Sequence, residues 1–170
     1  MGMNSLTPVL LILLLLLLAL ITGLTRNLSQ IKEAERKQWT RAESNVATKQ
    51  MFILWIEHGI QARQIKDYLY AHNIKKLAIY GMTDVGVMLY KLLKDTDIEV
   101  VSGIDRSRKT LNLPIQIVKP KEFSEAVDAI VVTSIYYFSE IYDTMRRQVG
   151  NDVPILGLDE ILYETVSDAN

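Results

Sequence analysis

The residues with the clearest chemical potential in this chain surround a glycine-bounded turn, which runs from Gly81 to Gly86. An apolar run at residues 77–80 precedes the turn, and Val85 and Leu89 follow it at helical spacing. This pattern predicts a strand, a tight turn and a helix, the unit that opens many nucleotide-binding α/β folds. Amides at the start of such a helix can hold a phosphate, so the turn is the first candidate binding site.

The turn departs from the usual dinucleotide-binding pattern at one position. Such a turn carries three glycines, for the bend, for the approach of the pyrophosphate and for helix packing. Gly81 and Gly86 match the first and third of these, whereas Thr83 stands at the second. The β-branched Thr83 obstructs the closest approach of a phosphate, although its hydroxyl could donate a hydrogen bond to one. Two interpretations stay open: a ligand site that includes Gly81, Met82, Thr83 and Gly86, and a turn kept only for packing.

A second group of polar residues follows the next predicted strand, residues 98–104. Asp105 comes directly after this strand, and Arg106, Arg108 and Lys109 come next. An acidic residue about twenty positions after the turn accepts hydrogen bonds from ribose hydroxyls in dinucleotide-binding folds. Asp105 is therefore a candidate ribose ligand and Arg106 a candidate phosphate ligand, with a solvated charged loop as the alternative.

Thr133 and Ser134 end a third strand of interest, residues 128–133, whose apolar run is typical of a parallel sheet covered on both faces. Residues 114–118 and 154–158 are two further predicted strands. The expected strand order is 3-2-1-4-5, which brings the glycine turn, Asp105, Thr133 and Ser134 to the same edge of the sheet. Helices are predicted over 138–149 and over 160–163, the second capped by Asp159.

The composition of the amino-terminal segment predicts that it anchors this domain in a membrane. Residues 9–21 are almost entirely leucine and isoleucine, and with their flanks they form about 18 residues, or ~27 Å of helix, enough to span a bilayer. A cleaved signal peptide is the alternative. It needs a basic start and small residues before the cut, but no Lys or Arg precedes Arg26, and residues 21–23 read Ile-Thr-Gly.

Charge around the apolar segment predicts its orientation. The basic residues nearest to it all follow it, and they are Arg26, Lys32, Arg36, Lys37 and Arg41. Because positive residues stay on the cytoplasmic side, we expect a single-pass anchor with a cytoplasmic carboxyl-terminal domain. The predicted division is an anchor over 1–25, a helical stalk and packing helices over 26–73, and an α/β domain over 74–170. The stalk pattern leaves the oligomeric state undecided.

Composition excludes several functions. The chain has no cysteine, so thiolate catalysis, disulfides and cysteine metal sites are ruled out. Its two histidines, His58 and His72, have no cluster of potential ligands near them in the sequence, and no metal site is predicted. The formal net charge of -1 gives no indication of nucleic-acid binding.

The carboxyl-terminal domain resembles a known class of domain. Residues 75–164 resemble the small Rossmann-like domains of bacterial surface-polysaccharide proteins, through the segments KKLAIYGMTDVG, SGIDRS, DAIVVTS and PILGLDEIL. The resemblance implies a small Rossmann-like parallel sheet. It also implies a site for a nucleotide, NAD(P) or a nucleotide sugar at Gly81, Thr83, Gly86 and Asp105.

These observations favour a membrane-anchored, nucleotide- or nucleotide-sugar-binding accessory module that works with polysaccharide-biosynthesis proteins. The alternatives are an NAD(P)-dependent epimerase- or dehydratase-like enzyme and a scaffold that binds no nucleotide. Tyr90 and Lys94 have the spacing of a Tyr-x-x-x-Lys catalytic pair, but they lie on the first helix after the turn. Among the residues expected near the crevice, Tyr136 is the one plausible general acid for catalysis. No catalytic residue is assigned, and we expect no turnover of a nucleotide sugar.

Overall fold

A long amino-terminal helix precedes the sheet. The structure, a computed structural model, describes residues 6–107 and 111–167. Contacts divide the chain into two units, Met1–Glu43 and Ser44–Asn170. Helix α1, Leu6–Glu57, contains the described part of the first unit and the beginning of the second. The second unit thus begins before the predicted α/β domain, because Met51 and Trp55 are buried in the same core as the sheet.

The apolar segment predicted to cross a membrane lies within α1. Its side chains from Val9 to Ile21 are exposed. Among the described residues, α1 is the one helix that is long and apolar enough to cross a membrane, judged by its length and composition. The apolar helix is therefore confirmed, whereas the crossing itself and its direction stay predictions.

The sheet has five parallel strands in the order β3-β2-β1-β4-β5, which confirms the predicted order. The strands are β1 (Lys76–Tyr80), β2 (Glu99–Ile104), β3 (Gln116–Val118), β4 (Ala129–Val132) and β5 (Ile155–Gly157). The two outer strands, β3 and β5, have three residues each. The order reverses direction between β1 and β4, so the carboxyl ends of these strands flank a crevice.

Helices cover both faces of the sheet. The remaining helices are α2 (Ala62–Ala71), α3 (Asp84–Leu93), α4 (Phe138–Val149) and α5 (Leu158–Ser167), with short 3₁₀ turns at Pro120–Glu122 and Ile135–Tyr137. Helix α4 has the predicted bounds. The last helix is longer than predicted and begins one residue before Asp159, which lies in its first turn instead of capping it. Burial of Ile161, Leu162 and Thr165 explains the extension to Ser167.

Alternation along β1 places its side chains in two separate cores. Leu77 and Ile79 join the core formed with α2, α3 and α5, whereas Ala78 and Tyr80 join the core formed with α4. Successive side chains of a strand point to opposite faces, so this split follows directly from the sequence of the strand. It directs Tyr80, the last residue of β1, toward α4.

A carboxylate fixes the opposite end of the central strands. Asp128 Oδ2 accepts hydrogen bonds from the backbone N–H groups of Lys75 at 2.9 Å and Lys76 at 2.8 Å. These bonds to the backbone lower the pKa of Asp128 below its usual value of 3.8. The charged form is therefore favoured in the folded state, and its stabilising effect is present at neutral pH and is lost progressively as the pH falls from about 5 through 3.8.

We therefore expect the free energy of unfolding to fall faster with acidification in the wild type than in Asp128→Asn. Between about pH 5 and pH 3, the difference in the free energy of unfolding between wild type and Asp128→Asn should become smaller. Denaturant unfolding of the full chain in detergent, repeated across this range, measures it. Asp152→Asn is a matched control, since Asp152 is exposed and makes no hydrogen bond or ion pair within the described residues. A constant difference between wild type and Asp128→Asn would contradict the expectation.

Candidate functional site

The glycine turn at the end of β1 has the backbone that the sequence predicts. Gly81 has a φ of +96°, a conformation that residues with side chains rarely adopt. Its N–H donates to the Ile104 carbonyl at 2.9 Å, which joins the turn to the end of β2. A Cβ atom on Gly81 would collide with the Ser134 hydroxyl and would lie 2.8 Å from Thr133 Oγ1. The close approach of β4 therefore requires glycine here.

Gly86 lies in the first turn of α3 and lets this helix pack closely on β1. A Cβ atom at this position would collide with the carbonyl oxygen of Gly81 and would lie 3.4 Å from Ile79 Cγ2. This is the packing role of the third glycine in the predicted pattern.

Thr83 is the N-cap residue of α3, but its side chain makes no capping hydrogen bond. Its N–H donates to the Gly81 carbonyl at 2.9 Å, and its carbonyl accepts from the Val87 N–H at 2.9 Å. The side chain is exposed. The first amides of a helix also lack intrahelical acceptors, so the Thr83 hydroxyl and the start of α3 together offer donors to an anion.

Asp105 connects the end of β2 to the glycine turn. Its side chain is 9% exposed, and its Oδ2 accepts from the Met82 N–H at 3.0 Å. Its Oδ1 accepts from both the N–H and the hydroxyl of Ser107, each at 2.8 Å. The carboxylate thus holds the turn in place, and Oδ2 keeps one lone pair for a further donor such as a ribose hydroxyl.

Thr133 and Ser134 follow β4 but differ in their surroundings. Thr133 is 2% exposed, and its hydroxyl donates to the Gly81 carbonyl at 2.6 Å and lies 3.2 Å from the Tyr80 carbonyl. The Thr133 hydroxyl therefore holds the glycine turn against the end of β4. Ser134 is half-buried and faces the same crevice as Thr83.

These residues enclose a crevice of about 190 Å³, called here the turn cleft. Five predicted site residues line it: Gly81, Thr83, Asp105, Arg106 and Ser134. The other three, Met82, Gly86 and Thr133, support it from behind. The Met82 side chain is 1% exposed and packs against Gly103, where an added Cβ atom would lie 2.6 Å from Met82 Cγ.

Four residues of the turn cleft were not predicted from the sequence: Tyr80, Ser107, Tyr137 and Ile141. The sequence did contain a signal for Ser107, since a serine two residues after an aspartate can donate a hydrogen bond to the aspartate carboxylate. Tyr137 lines the cleft, whereas the adjacent Tyr136, predicted to be near the crevice, is 41% exposed. The two rings make an edge-on contact with centroids 5.0 Å apart.

Arg106 lies between the turn cleft and α4. Its guanidinium donates to Glu140 Oε1 at 2.7 Å. The Tyr80 hydroxyl beside the guanidinium, and then Glu140, raise the pKa of Arg106 above its usual value. Arg106 is therefore a fixed cation at the mouth of the site. The other two basic residues of the predicted loop, Arg108 and Lys109, lie outside the described residues.

The Tyr90 and Lys94 pair lies away from this cleft. Tyr90 is buried in the core around α3, and the Lys94 ammonium lies 3.7 Å from Asp95. In the part of the chain that the structure describes, no three His, Cys, Asp or Glu side chains are grouped as metal ligands.

Comparison with known proteins adds no family. The chain matches no protein-family model, no curated protein and no solved structure.

Proposed function

We propose that the turn cleft binds a nucleotide or nucleotide sugar, and that the chain is a membrane-anchored accessory module of envelope polysaccharide biosynthesis. The observation that carries the first part is the position of the cleft, at the carboxyl ends of β1, β2 and β4 where the strand order reverses. Ligands of open α/β sheets bind at this position. The second part rests on the resemblance to Rossmann-like domains of surface-polysaccharide proteins.

The lining supports a phosphate at the turn and a ribose beside it. The Thr83 and Ser134 hydroxyls and the start of α3 are donors for a phosphate, and Oδ2 of Asp105 can accept from a ribose hydroxyl. The volume of about 190 Å³ is smaller than the ~300 Å³ at which small-molecule pockets usually begin. Together with the bulk of Thr83, this favours a mononucleotide portion with any sugar projecting outward, over a fully enclosed NAD(P).

The lining also supports binding without catalysis. Its titratable members are Tyr80, Asp105, Arg106 and Tyr137, and none of its described residues is a histidine or lysine. Proton transfer near neutral pH needs a group whose pKa lies near that pH. The expectation of no turnover therefore accompanies the proposed binding.

A nucleotide that binds in the turn cleft should raise the melting temperature of the full chain in detergent micelles. At about 100 times Kd the ligand adds about 2.7 kcal/mol, which corresponds to roughly 10 °C. ADP, a UDP-sugar and NAD are the probes. Ser134→Ala should weaken binding about fivefold, because one hydrogen bond contributes about 1 kcal/mol. The matched variant Ser124→Ala changes an exposed residue outside the cleft and should leave the affinity unchanged. No shift with any probe would favour a scaffold.

The anchor is tested by topology. The apolar part of α1 and the basic residues that follow it lead us to expect a carboxyl-terminal unit on the cytoplasmic side. Protease added outside intact cells should leave a carboxyl-terminal tag intact, and permeabilisation should expose the tag to cleavage. Release of a soluble, amino-terminally trimmed protein would instead indicate a cleaved signal peptide.

A further inference from the structure

A second crevice, called here the basic cleft, adjoins the turn cleft on the α4 side of the sheet. It encloses about 370 Å³ and is lined by Tyr80, Arg106, Lys119, Lys121 and Glu122, among others. The lining thus carries three cationic side chains and one carboxylate, and Glu140 outside the lining is paired with Arg106. Tyr80 and Arg106 line both clefts, so the two are adjacent. The charge of the basic cleft favours an anionic ligand.

The Tyr80 hydroxyl gives this cleft a second, independent feature. Tyr80 is 3% exposed, and its hydroxyl has no hydrogen-bond partner within the described part of the chain. The guanidinium of Arg106 lies close enough for the hydroxyl to raise the Arg106 pKa, but the geometry of the pair falls short of a hydrogen bond. A buried hydroxyl without a partner costs free energy, and a ligand oxygen that accepted a hydrogen bond from it would remove that cost.

We propose that the basic cleft binds a phosphate group. A phosphate oxygen can accept a hydrogen bond from the Tyr80 hydroxyl, while Lys119 and Lys121 supply ammonium donors. Arg106 is bonded to Glu140 through one terminal nitrogen, and a guanidinium has five N–H donors, so it can also contact the phosphate. The phosphate belongs either to a nucleotide in the adjoining turn cleft, in which case the inference rests on the proposed function, or to a separate molecule.

The primary experiment measures binding of inorganic phosphate to the full chain in nanodiscs of neutral lipid, by isothermal titration calorimetry at constant ionic strength. The double variant Lys119→Gln/Lys121→Gln should weaken binding about tenfold or more. The control is Lys75→Gln/Lys91→Gln, which removes the same charge from exposed lysines outside the cleft. An equal loss of affinity in both double variants would show that the change in net charge alone weakens binding, and it would overturn the proposal.

Two single variants separate a ligand site from a structural role. Tyr80→Phe should melt at the same or a higher temperature than wild type without phosphate, since it removes the unpartnered hydroxyl, yet it should lose most of the stabilisation that phosphate gives. Glu140→Gln should bind phosphate more tightly, because it removes the carboxylate that competes for Arg106. A phosphate response unchanged by Tyr80→Phe would overturn the assignment of this cleft.

AMP and ADP, titrated into the same variants, identify the source of the phosphate. Nucleotide binding that weakens in Lys119→Gln/Lys121→Gln, without binding of inorganic phosphate, would support a phosphate of the nucleotide itself. Phosphate binding that depends on the lysines, without nucleotide binding, would support a separate phosphorylated molecule and contradict the proposed function. If nucleotide affinity is unchanged in Lys119→Gln/Lys121→Gln and inorganic phosphate does not bind, the inference is overturned and the proposed function stays intact.

Discussion

Replacing Gly86 with valine should destabilise the protein by about 3 kcal/mol, the upper end of the usual overpacking range, and lower its melting temperature by roughly 10 °C. Even the first added atom would collide with the Gly81 carbonyl oxygen. That oxygen belongs to the turn backbone and already accepts hydrogen bonds from Thr83 and Thr133, so it cannot move aside cheaply. Denaturant unfolding and thermal melting of the full chain in detergent measure the effect.

The control for this prediction places the same side chain elsewhere on the same helix. Met88 is half-buried on α3, so Met88→Val tests the lower helix propensity of valine without the collision. That propensity costs about 0.5 kcal/mol. Gly86→Val should also abolish the stabilisation by nucleotides, because it separates α3 from the turn. If the two variants are equally stable, the close packing at Gly86 does not hold α3 on β1.

Replacing Asp105 with alanine should have a comparable effect, a loss of about 3 kcal/mol. The change removes Oδ2, the acceptor for the buried N–H of Met82, and Oδ1, the acceptor for both the N–H and the hydroxyl of Ser107. Hydrogen bonds to a charged group contribute about 1.5–3 kcal/mol, and donors left unpaired add their desolvation cost. Without the carboxylate, the loop after β2 no longer holds the turn, so the response to nucleotides should also be lost.

Asp97→Ala is the matched control, since the exposed Asp97 makes an ion pair at 3.6 Å with Lys66, which is half-buried. Such surface pairs contribute about 0–1 kcal/mol. Equal stability of the two alanine variants in denaturant unfolding would show that Asp105 does not hold the turn. Normal stability of Asp105→Ala with nucleotide binding lost would instead assign the carboxylate to the ligand alone.

The strand order could be predicted because the relevant signals are local. Leu77 and Ile79 belong to a short run that ends in a glycine turn, and residues 129–132 form a continuous apolar run between polar residues. Parallel pairing and the right-handed crossover then leave few arrangements for five such strands. The end of the last helix was missed because Ile161, Leu162 and Thr165 are held by tertiary burial, which a short helical pattern does not reveal.

The site was harder to predict, because its details depend on neighbours that are distant in the sequence. The type and position of Thr133 predicted a residue near the turn, but its bond to the Gly81 carbonyl depends on how closely β4 approaches β1. Tyr136 and Tyr137 are adjacent and chemically alike, so the sequence offered no reason to prefer the one that lines the cleft. Tyr80 belongs to an apolar strand, and the unpartnered state of its hydroxyl is a property of the packed core.

The brevity of the outer strands has a consequence for how copies of this chain behave when crowded together. An exposed sheet edge offers unpaired backbone groups to the edge of another molecule, and long edges promote aggregation. Here β3 and β5 offer three residues each, too few for an extended intermolecular ladder. The sheet is thereby protected against edge-to-edge association between copies of the chain.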